Sequence, residues 1–109
     1  MISNEVIIQQ MKESLLAALP GRVVKVVLYG SVARGTDTIE SDIDCIIVVD
    51  DIDNGIYEAV DQFAADMLLK FGAVFSIIPV KESNFDDRIY NPLYININRE
   101  GVVLWQKTA

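Results

Sequence analysis

Two short β-branched runs, residues 22–29 and 42–49, are separated by only 12 residues. That link is broken by Gly30 and Gly35 and is too close for a helical crossover, so two strands sharing a sheet here are antiparallel neighbours. The arrangement sets the Gly30-Ser31 turn, at the end of the first strand, beside Asp42 and Asp44 at the start of the second. Side chains alternate along a strand, so Asp42 and Asp44 are expected on one face. Two carboxylates side by side repel each other unless a cation lies between them. The neighbouring turn offers backbone N–H groups and a hydroxyl to an anion. A metal held beside a phosphate is the simplest chemistry those parts make together.

The rest of the chain can be placed around this pair. Residues 5–19 carry apolar groups at helical spacing, with Asn4 as a cap and Pro20-Gly21 as the stop. Asp50-Asp51-Ile52-Asp53 precedes a second amphipathic helix, residues 56–71, ended by Gly72. This acidic cluster lacks the full ligand loop of a Ca²⁺ site and fits a helix N-terminus, where negative charge favours the dipole. Residues 73–80 make a third strand, and Pro79 argues for its end or for a sheet edge. Helix 56–71 is long enough to let that strand join by a crossover.

The segment 81–85 fits a solvated connection better than a lid. The tail allows two readings: residues 94–98 alternate like a strand, whereas Asn91-Pro92 and Gly101 bracket a helix. The helix over 92–99 is favoured, followed by a strand over 101–105. The aromatics Tyr90, Tyr94 and Trp105 suit a core or an interface. The expected fold is one α/β (α+β) domain over 1–109, with a small, mixed, mostly antiparallel sheet covered by helices.

Composition narrows the function. With 9 basic and 16 acidic residues, net charge −7, the chain is poorly suited to hold nucleic acid by its backbone. It can still hold a single nucleotide through a divalent cation, and a basic protein partner also fits the charge. The sequence contains no histidine, which removes Ser-His and Cys-His nucleophiles and any histidine metal site. Cys45 is the only cysteine and lies in an apolar run, as a buried thiol would. No signal peptide and no apolar run of membrane-spanning length is visible, so a cytoplasmic location is expected.

Taken singly, a Gly-Ser turn is most often only a turn, and acids near a strand start often cap a neighbouring loop. Their conjunction says more, because aspartate is disfavoured in strands and Ile43 and Cys45 commit the opposite face to core. Carboxylates are the ligands Mg²⁺ prefers, and substrate phosphates and water complete its shell. Arg34 is close enough in sequence to reach the same phosphates.

The run Gly30-Ser31-Val32-Ala33-Arg34-Gly35, followed by Ser41-Asp42-Ile43-Asp44, resembles the signature of the DNA polymerase beta-like nucleotidyltransferase superfamily. In size the chain is similar to the minimal nucleotidyltransferase branch, and the likeness extends through Asn91-Pro92-Leu93-Tyr94 and Arg99-Glu100-Gly101. The resemblance implies a palm-like fold in which Asp42 and Asp44 are catalytic and hold Mg²⁺. It carries nucleotide binding to Gly30, Ser31, Arg34 and Ser41. It further implies transfer of a nucleoside monophosphate, commonly from ATP, to an acceptor hydroxyl. Small members are often antitoxins paired with a helical HEPN-domain toxin, and some adenylylate a tyrosine of that toxin.

The sequence departs from the pattern at one place. Active members usually carry a third carboxylate on the strand after the long helix, and residues 73–80 contain no acid; Ser76 is the polar residue near that position. A serine hydroxyl is a neutral, weaker ligand and no general base at ordinary pH. Asp50, eight residues beyond Asp42 on one extended strand, would lie roughly 26 Å away; Asp37 and Glu40 in the loop remain closer candidates. Two expectations follow: a nucleotidyltransferase acting on a protein partner, or a module of that fold that binds its partner without turnover.

Overall fold

The computed structural model describes residues 4–30, 42–86, 97 and 99–107. The chain runs α1 (Asn4–Ala18), β1 (Val23–Tyr29), β2 (Ile43–Val49), α2 (Asn54–Phe71), β3 (Phe75–Lys81), α3 (Glu82–Asp86) and β4 (Val102–Gln106). The four strands form one mixed sheet in the order β3-β2-β1-β4. β1 is antiparallel to both β2 and β4, while β2 and β3 are parallel and joined through α2. The antiparallel β1–β2 pair expected from the short link is therefore present, as is the crossover.

The apolar runs of β1 and β2 are continuous because both faces of the sheet are covered. On one face Val26, Leu28, Ile43, Cys45 and Ile47 pack against Met11 and Leu15 of α1 and Ile56, Phe63 and Met67 of α2. On the other, Val27, Ile46, Val48 and Val80 pack with Phe85 of α3 and Ile97. The Phe63 and Phe75 rings meet edge to face, 5.4 Å between centroids, and tie α2 to β3.

Helix ends follow their local chemistry. The Asp53 carboxylate caps α2 by accepting the Ile56 N–H at 3.1 Å. Gly72 ends it in the left-handed region, φ 64°, with its N–H donated to the Leu68 carbonyl at 2.9 Å. The acidic cluster has a partner that the sequence did not announce. Arg22 holds the Asp50 and Asp53 carboxylates, each at 3.1 Å, and donates to the Asp51 carbonyl. This pins the start of α2 to the turn before β1.

Two expectations are corrected. Segment 81–85 is not a solvated connection: β3 continues through Lys81, and α3 buries Phe85 in the second core, with the Lys25 ammonium 5.6 Å from its ring centroid. The β3 strand is also displaced, beginning at Phe75 rather than 73. Pro79 lies inside β3, which is an edge strand and so tolerates a missing N–H. Of the helix expected over 92–99, residues 97 and 99 are helical, as is Glu100, and the remainder lies outside the described residues. Trp105 packs on the edge of the main core; Tyr90 and Tyr94 lie outside the described residues.

Candidate functional site

The site stands where β1 ends and β2 begins, on the face away from α1 and α2. Asp44 pairs with Tyr29 across the antiparallel ladder and with Ser76 across the parallel one. Residues in register share a face, so Tyr29, Asp44 and Ser76 form a row across three strands, about 5 Å apart from strand to strand. Asp44 is half-buried, between Ile43 and Cys45, whose side chains enter the main core. The alternation of β2 is thus what lifts this carboxylate out of the core and onto the second face.

Gly30 meets Asp44 directly. Its φ of +77° is a conformation that residues with a Cβ rarely adopt. A Cβ added there would overlap Asp44 Oδ2 and stand 3.1 Å from Asp44 Cγ. Glycine is required at position 30 for two separate reasons: the turn it makes, and the carboxylate that fills the space beside it. The turn and the acid, 14 residues apart in sequence, are therefore in van der Waals contact.

Asp42 precedes the first residue of β2 and is exposed. Ile43, between the two acids, donates its N–H to the Val74 carbonyl at 2.9 Å, which extends the β2–β3 ladder to the threshold of Asp42. Ser31, Arg34 and Ser41, the other expected phosphate contacts, lie outside the described residues, as do Asp37 and Glu40.

The electrostatics mark the same place. The Tyr29 phenol is raised above its ordinary value, first by burial and then by the negative charge of Asp44 beside it. Cys45, one residue from Asp44 but facing the core, is pushed up to about 12 by burial and is chemically quiet. Ser76, exposed on β3, stands in register with Asp44. Among the described residues no three acids, cysteines or histidines cluster as metal ligands. Asp42 and Asp44 carry the kind of donor that fits Mg²⁺, which commonly takes one or two carboxylates and completes its shell with phosphate oxygens and water.

Residues 8–92 match the nucleotidyltransferase domain family. The chain belongs to that family. It is 36% identical over 104 residues to a Methanocaldococcus jannaschii protein named "Putative protein adenylyltransferase", covering 95% of this chain and all of that one. The fold is shared with a chain of a toxin–antitoxin complex crystallised with AMP-PNP, at TM-score 0.65 and 22% identity, covering 96% of this chain and 75% of that one. It is shared as well with a chain from the complex of a tri-AMPylated Shewanella oneidensis HEPN toxin with an MNT antitoxin, at TM-score 0.64 and 16% identity, covering 96% and 74%. The fold of this nucleotidyltransferase is thus the one used by minimal nucleotidyltransferase antitoxins. Among its described residues, no helix is long and apolar enough to cross a membrane.

Proposed function

We propose that this nucleotidyltransferase binds Mg²⁺ with a nucleoside triphosphate, ATP by preference, at the β1–β2 junction. It transfers the nucleoside monophosphate to a hydroxyl on a protein partner. The observation that supports this most is the contact of the Gly30 turn with the Asp44 carboxylate, which brings an anion-accepting bend and a cation-accepting acid to one point.

In this reading Asp42 and Asp44 are the metal ligands, and Gly30, Ser31, Arg34 and Ser41 receive the triphosphate. When bound, Mg²⁺ supplies neutralisation of the phosphate charge and of the charge that develops on the leaving group. The acceptor oxygen attacks the α-phosphorus, the bond from that phosphorus to the β-phosphate oxygen breaks, and pyrophosphate leaves. The acceptor's proton passes to solvent, since Ser76 cannot take it at ordinary pH.

The choice of a protein acceptor rests on the name of the M. jannaschii relative, and the choice of a HEPN-type helical partner on the complexes that share the fold. The chain would then act as the antitoxin of a toxin–antitoxin pair.

One observation favours a second reading, a module that binds its partner and nucleotide with little or no turnover. Ser76 sits in register with Asp44 where an acid would complete the site. General-base catalysis contributes roughly 10²–10⁴-fold, so its absence leaves binding intact while slowing transfer.

The test is to mix the purified chain, α-labelled ATP and Mg²⁺ with the product of the adjacent reading frame. Label on that partner, lost in both Asp42→Asn and Asp44→Asn, is the expected result. Label that persists in both substitutions overturns the assignment of the two acids. Mg²⁺-dependent ATP binding without labelling selects the second reading.

A further inference from the structure

Asp44 stands between two hydroxyl-bearing residues. Tyr29 faces it across the antiparallel ladder and Ser76 across the parallel one. The other hydroxyl residues among those described, Ser14, Tyr57 and Ser83, lie on helices α1, α2 and α3 rather than in this row. The two flanking hydroxyls are not equivalent. Tyr29 is half-buried, and its side chain packs against the second core. Ser76 is exposed and lies on an edge strand.

Ser76 is also firmly held. Its neighbours Phe75 and Ile77 pack in the main core, and the Phe75 ring meets Phe63 edge to face. The β2–β3 register runs without a shift from the Ile43–Phe75 pair to the Val49–Lys81 pair. The alternation that lifts Asp44 out of the core therefore lifts Ser76 beside it. Rotation about the Cα–Cβ bond is the main freedom left to the Ser76 hydroxyl.

We propose that Ser76 is itself an acceptor: in the absence of a partner hydroxyl, the chain adenylylates its own Ser76 within one molecule. This rests on the reading that Asp42 and Asp44 seat the nucleotide with its metal. Ser76 Oγ attacks the α-phosphorus and forms the new P–O bond. The bond from that phosphorus to the α,β-bridging oxygen breaks, and pyrophosphate leaves with the electron pair. The hydroxyl proton passes to solvent, which reaches the exposed Ser76 directly. The product is a phosphodiester joining Ser76 to adenosine.

A carboxylate at this position could take a proton from an acceptor, whereas a hydroxyl can be the acceptor. Residues 71–81 contain no acid to serve as a base, so the step is slow. Proximity favours it nonetheless. A hydroxyl fixed one strand away, about 5 Å, acts at an effective concentration on the order of millimolar or higher, above that of a partner at micromolar levels. The reaction also closes the site. The attached adenylyl group stays beside Asp44, and its negative phosphodiester repels a second triphosphate. Transfer to a partner is then confined to chains not yet modified.

The experiment incubates the purified full chain with ATP and Mg²⁺, without a partner, and follows intact mass and peptide maps. The expected result is the mass gain of a single adenylyl group, mapped to Ser76. Its rate constant is unchanged by dilution of the chain, as a step within one molecule requires, and Ser76→Ala shows no gain. A second readout does not depend on turnover. After free nucleotide is removed, the modified wild type fails to bind a non-hydrolysable ATP analogue by calorimetry, whereas Ser76→Ala carried through the same treatment binds it. A wild type that stays unmodified yet binds the analogue overturns this inference and leaves the proposed function standing. Loss of both modification and analogue binding overturns the two together. A gain mapped to Tyr29 or another residue, one that persists in Ser76→Ala, or a rate constant that rises with chain concentration also overturns the inference. The peptide map of the unaltered chain decides the matter even if Ser76→Ala fails to fold.

Discussion

At Gly30, φ of +77° and the Asp44 carboxylate against the backbone leave no room for a side chain. Gly30→Ala therefore suffers twice, through left-handed strain of about 1 kcal/mol or more and through displacement of Asp44. The expected outcome is a lowered melting temperature together with loss of Mg²⁺-dependent ATP binding, read by thermal denaturation and calorimetry. A residue whose role was only to turn the chain would give the first effect without the second.

Ser76 makes a complementary prediction: Ser76→Asp sets a second carboxylate beside Asp44. Repulsion should lower its melting temperature in EDTA, Mg²⁺ should restore it, and partner labelling should rise at least about tenfold if a missing base limits turnover. Cys45 gives a pH dependence. Its folded-state pKa lies near 12 against an ordinary 9.0, so the folded state favours the protonated thiol. Stability from this group is complete below pH 9 and is lost as pH rises toward 12, by on the order of 4 kcal/mol. Denaturant titrations at pH 8 and at higher pH should show this alkaline loss in the wild type and its reduction in Cys45→Ala.

Elements were legible in the sequence where local chemistry decides them. The β-branched runs gave β1 and β2, and Pro20-Gly21 and Gly72 ended the two long helices; α2 starts at Asn54, two residues before the expected 56, because Asp53 caps it. Less was legible where tertiary contacts decide. Helix α3 is only five residues long and polar but for Phe85; its existence depends on the second core formed by Val27, Ile46 and Ile97, which no local window contains. The signal present was one aromatic residue in an otherwise polar segment. The Arg22 clamp spans 28 residues to Asp50 and was invisible for the same reason.

Of the site, the link length and the strand alternation foretold Asp44 beside the turn, whereas Ser76 near it was legible only through the resemblance to the nucleotidyltransferase pattern. The register irregularities, at Val24 of β1 against β2 and at Leu104 of β4 against β1, had no sequence mark. The element-scale prediction concerns α3. Phe85→Ala should cost about 3 kcal/mol through the lost core contact, with fast hydrogen exchange appearing first in residues 82–86.

For the whole molecule, one mixed sheet with helices on both faces holds three strands rigid at the point where the site lies. The main core anchors β2 through Ile43, Cys45 and Ile47, so Asp44 is carried by a strand fixed on both neighbours rather than by a loop. Such placement keeps a charged ligand in position at low entropic cost. In the proposed function, a net charge of −7 makes the metal the source of positive charge for the nucleotide.

That dependence can be measured directly. Mn²⁺ in place of Mg²⁺, with a non-hydrolysable ATP analogue, should give water-proton relaxation enhanced above that of the Mn²⁺–nucleotide complex when the wild-type chain is added. The enhancement should disappear in Asp42→Asn and in Asp44→Asn, with both variants retaining the wild-type circular dichroism spectrum. Undiminished enhancement in the two folded variants would contradict a metal seat at these aspartates and with it the nucleotide site built on Gly30.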